Sequence, residues 1–363
     1  MDVGQQETES LLKRIERDVV DFYGVAKKDI KHKFEEFNRK FILKDEVKRK
    51  QLKAGEITQE EYDEWRKGQL MAGKRWQEQL DIFSDDLTNA QQIAKSMVNG
   101  YMPEMYAIGH NYGTYQVEKY GQINTSYTLY DRQTVERLIK DNPDILPVLK
   151  PKSKTAQQIA ESRIKKWEQR QIQSTCLQGI LQGESVVDIA ERISSITKQD
   201  AKATIRYART MTTGAENAGR IDSYKRAENM GIEIEQQWLA TPDDRTREEH
   251  REMDGEHVKI GEKFSNGCEY PGDPAGDPAS IWNCRCTLVP MLTGIPELEN
   301  DNDLSNTELR YDDDLGEETY AEWKAGHMKS QSILLPKQKR DNIKNAFIKQ
   351  YKETAKRLED VEL

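Results

Sequence analysis

Cys284 and Cys286 are separated by one residue, a spacing that turns both side chains to the same side of extended backbone. Three of the four cysteines and two of the five histidines fall between His250 and Cys286. Zinc is held in just this way, by cysteine sulfur and histidine nitrogen in a tetrahedron. The candidate ligands are His250, Cys284, Cys286 and His257, with Cys268 as an alternative fourth. Two other readings stand beside zinc. Reduced buried thiols pack as small hydrophobes, and Cys268 can form a disulfide with either neighbour outside a reducing compartment. The spacing matches no common zinc finger.

Other chemistry is possible at the same residues. His250 near Asp244, with a metal to activate water, would suit a nuclease or hydrolase. No His-Glu-x-x-His, Gly-x-Ser-x-Gly or P-loop supports it. Glu233-Ile-Glu235 is a carboxylate pair like that of ADP-ribosyltransferases, but it lies in an alternating pattern where Glu is common on the wet face. Arg209, Thr213, Asn217 and Arg220 fall within about 80° on a helix turning ~100° per residue. That stripe can meet phosphates or a partner's carboxylates, or pair internally with Asp243 and Asp244.

These residues need a scaffold, and helical periodicity dominates the first ~230 residues. Leu12, Ile15, Val19, Phe22 and Tyr23 recur at helical spacing, continued by Ile30, Phe34, Phe37 and Phe41. Thr58 with Glu61 forms a capping box for a helix through Tyr62 and Trp65. Gly100, Pro103, Gly109, Gly113 and Gly121 punctuate a tyrosine-rich segment that fits neither helix nor strand cleanly. Asn142-Pro143 to Ser153 reads as a linker. After a turn at Gly183-Glu184-Ser185, a short amphipathic helix follows. The next helix carries Ala201, Ile205, Ala208, Met211, Ala215, Ala218 and Ile221 on one stripe, small enough for close packing.

Beyond Gly231 the period changes. Ile232, Ile234, Gln236 and Trp238 alternate as in a strand. Thr241-Pro242-Asp243-Asp244 reads as a helix start, and that helix carries Arg247 and His250 to a stop at Asp254-Gly255. A strand at His257 to Ile260, a Gly/Pro/Asp-rich loop and a returning strand from Cys284 to Val289 complete the module. The expected fold is mostly α: an elongated helical N-terminal body with a small α+β cysteine- and histidine-containing module near the C-terminus. Four regions follow: a helical N-terminal region at 1–150, a helical core at 151–230, the α+β module at 231–292, and a charged C-terminal extension at 293–363.

Composition narrows the function. Hydrophobic residues make 36% and charged residues 33%, thin for one large core but suited to helices with wet faces or to docking in an assembly. The net charge of −9 disfavours a general nucleic-acid coat, which needs a basic face. Charge is uneven, however. Acids dominate from Glu297 to Glu322. The expected final amphipathic helix is basic and supplies candidate DNA or partner contacts at Lys337, Lys339, Arg340, Lys344, Lys349 and Lys352, alongside Arg209, Asn217 and Arg220. Tyr320, Trp323 and His327 share a short helical face fit to dock on a partner. Met1 to Ser10 is polar rather than a signal peptide, no stretch approaches the ~20 apolar residues of a membrane span, and synthesis in a reducing cytoplasm is expected.

Ala208-Arg-Thr210, Asn217, Gly219-Arg220, Trp238, Asp244, Arg247, His250, Asp254-Gly255, Phe264, Pro271-Gly272 and Asn283-Cys-Arg-Cys286, taken in order, resemble the Mu F-like phage head morphogenesis (minor capsid) family over roughly residues 170–292. Ile57-Thr58, Tyr62 and Trp65, with Tyr320 and Trp323, are similar to minor capsid proteins of tailed phages or prophages of Gram-positive hosts. Cys268 does not match a family-typical cysteine, which favours His250, Cys284 and Cys286 as the metal core. The resemblance implies a non-enzymatic virion protein at the portal vertex or capsid interior, made in the host cytoplasm beside portal and scaffold. It also implies help with DNA packaging, retention or ejection. Some relatives append a toxin domain; the 77 residues after Cys286, a charge-rich segment, are expected to be too few for one.

Overall fold

The structure, a computed structural model, describes residues 2–71, 73–123, 125, 127–146, 154–293, 318–327 and 345–354. It is mostly helical, with one small sheet near the C-terminal end. The chain divides into two compact units. One contains Met1–Glu16, Val98–Leu149 and Ile205–Asp341; the other contains Arg17–Met97, Lys150–Thr204 and Asn342–Leu363. Helices α1 (Val3–Phe37), α4 (Gly73–Asn99) and α9 (Thr197–Asn229) each carry residues of both.

The second unit takes in α2 (Arg39–Lys53), α3 (Gln59–Leu70), α7 (Lys154–Leu181) and α8 (Val186–Ser194). The Thr58–Glu61 capping box opens α3, and Ser185 with Asp188 makes another at α8 after the expected Gly183 turn. Phe34, Phe41, Phe83, Ile172, Ile180 and Ile189 are among the residues of its core. Residues 345–354 are helical and bury Tyr351 against Phe22, with ring centroids 5.5 Å apart.

Glu168 on α7 and Asp200 on α9 lie side by side in this interior, 0% and 1% exposed. Burial raises both carboxyl pKa values, and the charge of Asp200 raises Glu168 further. A carboxyl that stays protonated in the fold but ionises on unfolding makes stability fall as pH rises, from the ordinary carboxyl range near ~4 upward. Glu168→Gln is expected to flatten that fall. Urea midpoints of wild type and variant at pH 5, 7 and 9 check it; parallel curves would contradict the shared burial.

In the first unit, the glycine-punctuated segment forms α5 (Met102–Gly121), almost wholly buried. Helix propensity is a weak guide here because the glycines serve a crossing. A Cβ on Gly109 would lie 2.0 Å from the Glu216 carbonyl oxygen, and one on Gly219 would lie 2.2 Å from that of Tyr106. The small-residue stripe of α9 therefore meets α5 at backbone contact. Three polar residues of α5 are engaged by the chain that follows. Asn111 Nδ2 donates to the Tyr130 carbonyl at 2.9 Å, Tyr127 OH bonds the buried His110 ring, and Glu118 Oε1 accepts from Thr125 N at 2.9 Å. Asp131 then caps α6 (Arg132–Asp141).

The sheet has order β2-β1-β3, all antiparallel. β1 (Ile234–Leu239) buries Ile234, Gln236 and Trp238 as the alternation requires, and Gln236 is accommodated by donating to the Glu262 and Glu269 carbonyls. β2 is His257–Lys259. β3 is Thr287–Leu292, three residues later than expected, because Cys284-Arg-Cys286 spends its backbone groups elsewhere. The expected helix start at Thr241 is instead a turn. Asp243 N donates to the Thr241 carbonyl, and α10 is only Glu248–Glu252, with Arg247 at its N-cap. α11 spans Pro278–Ile281, and α12 spans Tyr320–His327. Among the described residues, no helix is long and apolar enough to cross a membrane.

Candidate metal centre

His250 comes from α10, and the two thiols come from the extended approach to β3. His250 Nδ1 lies 3.6 Å from Cys284 Sγ and 3.4 Å from Cys286 Sγ, and the three donor atoms all fall within 4.8 Å of one another. Metal–sulfur bonds of ~2.3 Å and metal–nitrogen bonds of ~2.0 Å at a tetrahedral angle put sulfur and nitrogen about 3.5 Å apart. The donor set and its spacing therefore fit a metal ion. All three residues are buried, none more than 3% exposed. The Cys284 thiol, followed by His250, stabilises negative charge on Cys286 and lowers its pKa, while Cys284 is pushed up. A cation between them would favour both thiolates.

Helix α9 acts as a template for the ligand-bearing strand. Thr210 Oγ1 accepts from Asn283 N at 3.1 Å, and Thr213 Oγ1 donates to the Cys284 carbonyl at 2.7 Å. Asn217 Nδ2 donates to the Cys286 carbonyl at 3.2 Å, while its Oδ1 accepts from Leu288 N at 2.8 Å. Arg220 Nη1 donates to the Leu288 carbonyl at 3.1 Å. Residues 210, 213, 217 and 220 share one helical face, so a rigid helix reads out successive groups of an extended chain. These bonds replace a sheet ladder, which is why β3 begins only at Thr287. Asn283 supports the turn into the segment with φ at 58°.

Arg247 clamps the preceding turn through the Ser280 and Trp282 carbonyls. Arg285, between the two cysteines, points away and forms a two-pronged ion pair with Asp243, one contact at 2.6 Å. Its guanidinium holds Asp243 well below the ordinary carboxylate range. The stripe was expected to pair internally with Asp243 and Asp244; Asp243 instead belongs to Arg285, and Asp244 is exposed. Gly272, at φ 81°, lets its loop touch α9: a Cβ there would lie 2.7 Å from Gly214 N.

The remaining candidates scatter. His257 is exposed, with Nδ1 2.6 Å from Glu235 Oε2, and is not in the His250 group. Cys268 is a separate buried thiol packed with Phe264 and Ile281, its pKa pushed up to about 11 by burial. All four cysteines are free. Asn217 and Arg220 are interior, whereas Arg209 is half-exposed and pairs with Glu16 at 2.7 Å. Lys349 and Lys352 are exposed on the 345–354 helix; Lys337, Lys339, Arg340 and Lys344 lie outside the described residues. Thr210, and Thr241, whose hydroxyl donates to the Arg285 carbonyl at 2.7 Å, also hold the site, and no sequence pattern reveals this for Thr241. For Thr210 the signal was the heptad-like spacing with Thr213, Asn217 and Arg220.

Asn217→Ala strands the Cys286 carbonyl and the Leu288 N–H in a dry interior. The expected loss is about 2–4 kcal/mol, at ~1–3 kcal/mol per buried group left unsatisfied. Chemical denaturation checks it, and a loss below ~1 kcal/mol would mean that the template is dispensable.

Taken together, a helix-templated Cys-x-Cys strand and a buried imidazole define a small Cys/His module whose side chains can hold a metal. Residues 170–289 match the family described as Phage Mu protein F like protein, a stretch that includes α9, β1, β2, the first half of β3 and all three donors. That match, with the likeness to a minor head protein given below, supports a phage Mu F-like head morphogenesis family for this segment. A 135-residue stretch is 33% identical to the NAD(+)--arginine ADP-ribosyltransferase EFV of Enterococcus faecalis, covering 36% of this chain and 28% of that protein. Over 223 residues it is 22% identical to the minor head protein GP7 of Bacillus phage SPP1, covering 61% and 69%. An uncharacterized protein of Haemophilus influenzae is 30% identical over 123 residues, covering 33% and 24%. The chain thus spans only about a quarter of the length of two of these relatives. No solved structure matches.

Proposed function

We propose that this chain is a non-enzymatic minor capsid protein of a tailed phage or prophage. It sits in the capsid interior or at the portal vertex, after assembly in the host cytoplasm with portal protein, scaffold and other head proteins. There it assists DNA packaging, retention or ejection. The observation that carries this reading is the alignment with a minor head protein over 61% of the chain. Co-expression with the portal protein of the same phage tests it: the two should co-purify as one assembly, and a well-folded chain that ignores the portal overturns the reading.

Zinc is the metal the donor set suits best, held by His250, Cys284 and Cys286. The burial of all three donors favours a structural ion, since catalytic sites keep an open position. Four regions fit this role: the helical 1–150 region, the 151–230 core, the 231–292 module and the charged 293–363 extension, whose basic residues 337–352 would touch packaged DNA. Metal analysis of chelator-washed protein should return one zinc per chain, lost in Cys284→Ser/Cys286→Ser together with the fold of the module. A metal-free protein that stays folded would leave the thiols as core residues.

The transferase relative supplies the competing reading. The match covers just over a quarter of that enzyme, and in this chain Glu235 of the Glu233–Glu235 pair is engaged with His257. Labelled NAD+ incubated with the chain and an arginine-bearing acceptor should leave the acceptor unlabelled. Transfer abolished by Glu235→Gln would establish an enzyme instead.

A further inference from the structure

We propose that the outer face of α2 is a docking surface for an acidic amphipathic helix of another protein, which packs along Leu43 and Val47 and sets carboxylates against the cations beside them. The inner face of α2 is engaged within the chain. Phe41 stacks on Trp65 with ring centroids 5.0 Å apart, and buried Asp45 accepts from Arg49 Nε at 3.0 Å and from Tyr62 OH at 2.7 Å. On the outer face, Leu43 is 61% exposed and Val47, one turn on, is 57% exposed. Single exposed apolar residues are ordinary, but these two belong to a pattern. Lys40, Leu43, Val47, Lys50 and Ala54 follow the alternating three- and four-residue spacing of a coiled-coil seam, flanked by Arg39, Lys44 and Lys53. All of these residues are exposed.

The charge of this face works against the helix that carries it. Arg39 and Lys40 stand in the first turn, where the helix dipole disfavours cations and where no acid and no side-chain cap offsets them. Lys40 and Lys44 repel each other at i,i+4. Arg39 reaches Glu36 only at 3.9 Å, and among the described residues no ion pair takes up Lys40, Lys44, Lys50 or Lys53. A local pattern that breaks its own element's rules with no gain inside the fold marks a functional surface, and an anionic partner relieves this one. The apolar pair then selects among anionic partners. A phosphate backbone offers Leu43 and Val47 nothing, and two side chains bury too little to hold a bilayer. A second copy of α2 would set like charge against like. A helix with an apolar seam and glutamates beside it satisfies both the apolar and the basic residues. This docking does not depend on the head-protein role.

The probe is a synthetic three-heptad helix with Leu at its seam and Glu at the flanking positions, fluorescently labelled and titrated with the full-length chain. Anisotropy should show binding on the order of 10 μM. Leu43→Ser/Val47→Ser and Lys40→Glu/Lys44→Glu should each weaken it at least about tenfold, as should Ser in place of Leu at the peptide's seam. All four protein positions are exposed, so the circular dichroism melting curves should match that of the wild-type chain. No binding by the wild-type chain overturns the proposal, as does binding that Leu43→Ser/Val47→Ser leaves intact, which is a general attraction for acid. A short DNA duplex held more tightly than the peptide and released by Lys40→Glu/Lys44→Glu assigns the face to nucleic acid. A dimer in sedimentation that Leu43→Ser/Val47→Ser dissolves assigns it to a second copy. Either result also overturns the proposal.

Discussion

Arg220→Met is expected to cost the first unit about 3–5 kcal/mol, the usual penalty for removing one partner from a buried charge cluster. Arg220 is fully buried. Its Nη2 lies 2.9 Å from Asp2 Oδ1 and 2.8 Å from Glu216 Oε1, and the guanidinium sits 4.8 Å over the Tyr112 ring. Met keeps much of the volume, so the loss reports on charge rather than on a cavity. Two carboxylates, 4% and 5% exposed, are then left facing each other. Burial already raises the Glu216 carboxyl, and Arg220 is the largest force opposing that rise. Without Arg220 the folded pKa climbs further, so the penalty is small below the ordinary carboxyl range and grows as pH rises. Unfolding at pH 5 and pH 8 should show a wider gap at pH 8, and Glu216→Gln should narrow it. An equal gap at both values would mean that the ion cluster is not what stabilises this site.

Gly219→Ala should destabilise by about 3 kcal/mol, although alanine is the better helix former by ~1 kcal/mol. The new Cβ meets the Tyr106 carbonyl oxygen at 2.2 Å and His110 N at 2.7 Å, both backbone atoms that move only if α5 and α9 separate. The α9 template would then lose its setting. Gly68→Ala in α3 is the control, for a Cβ there meets nothing within 4 Å. It should be neutral or stabilising by up to ~1 kcal/mol. Thermal unfolding should fall for Gly219→Ala and hold or rise for Gly68→Ala; similar shifts would mean that the crossing relaxes freely.

Much of this was legible along the chain. The capping box at Thr58, the turn and short helix after Gly183, the alternation through Trp238 and the small-residue stripe of α9 are local patterns, and each formed the element its pattern specifies. Cys284, Cys286 and His250 could be grouped because two thiols one residue apart must share a side wherever the backbone is extended. The three donors do converge.

Other features depended on non-local contacts. The tyrosine-rich glycine segment reads as broken because glycine lowers helix propensity, and only the α5–α9 crossing shows why it is helix. The Cys-x-Cys stretch reads as strand, yet its partners are side chains of a helix some seventy residues earlier, so the ladder starts later. A polar stripe at helical spacing looks the same whether it faces a partner or an extended segment of its own chain. Which residues touch is a matter of which surfaces bury each other, and no local period encodes that. Residue types and their spacing thus determined most of the helices, the small sheet and the three residues that could hold a metal. The tertiary fold alone decided that Asn217 and Arg220 point inward, that His257 and Cys268 stand apart, and that Tyr320 and Trp323 bury against α5, because each outcome depends on packing between segments far apart in the chain.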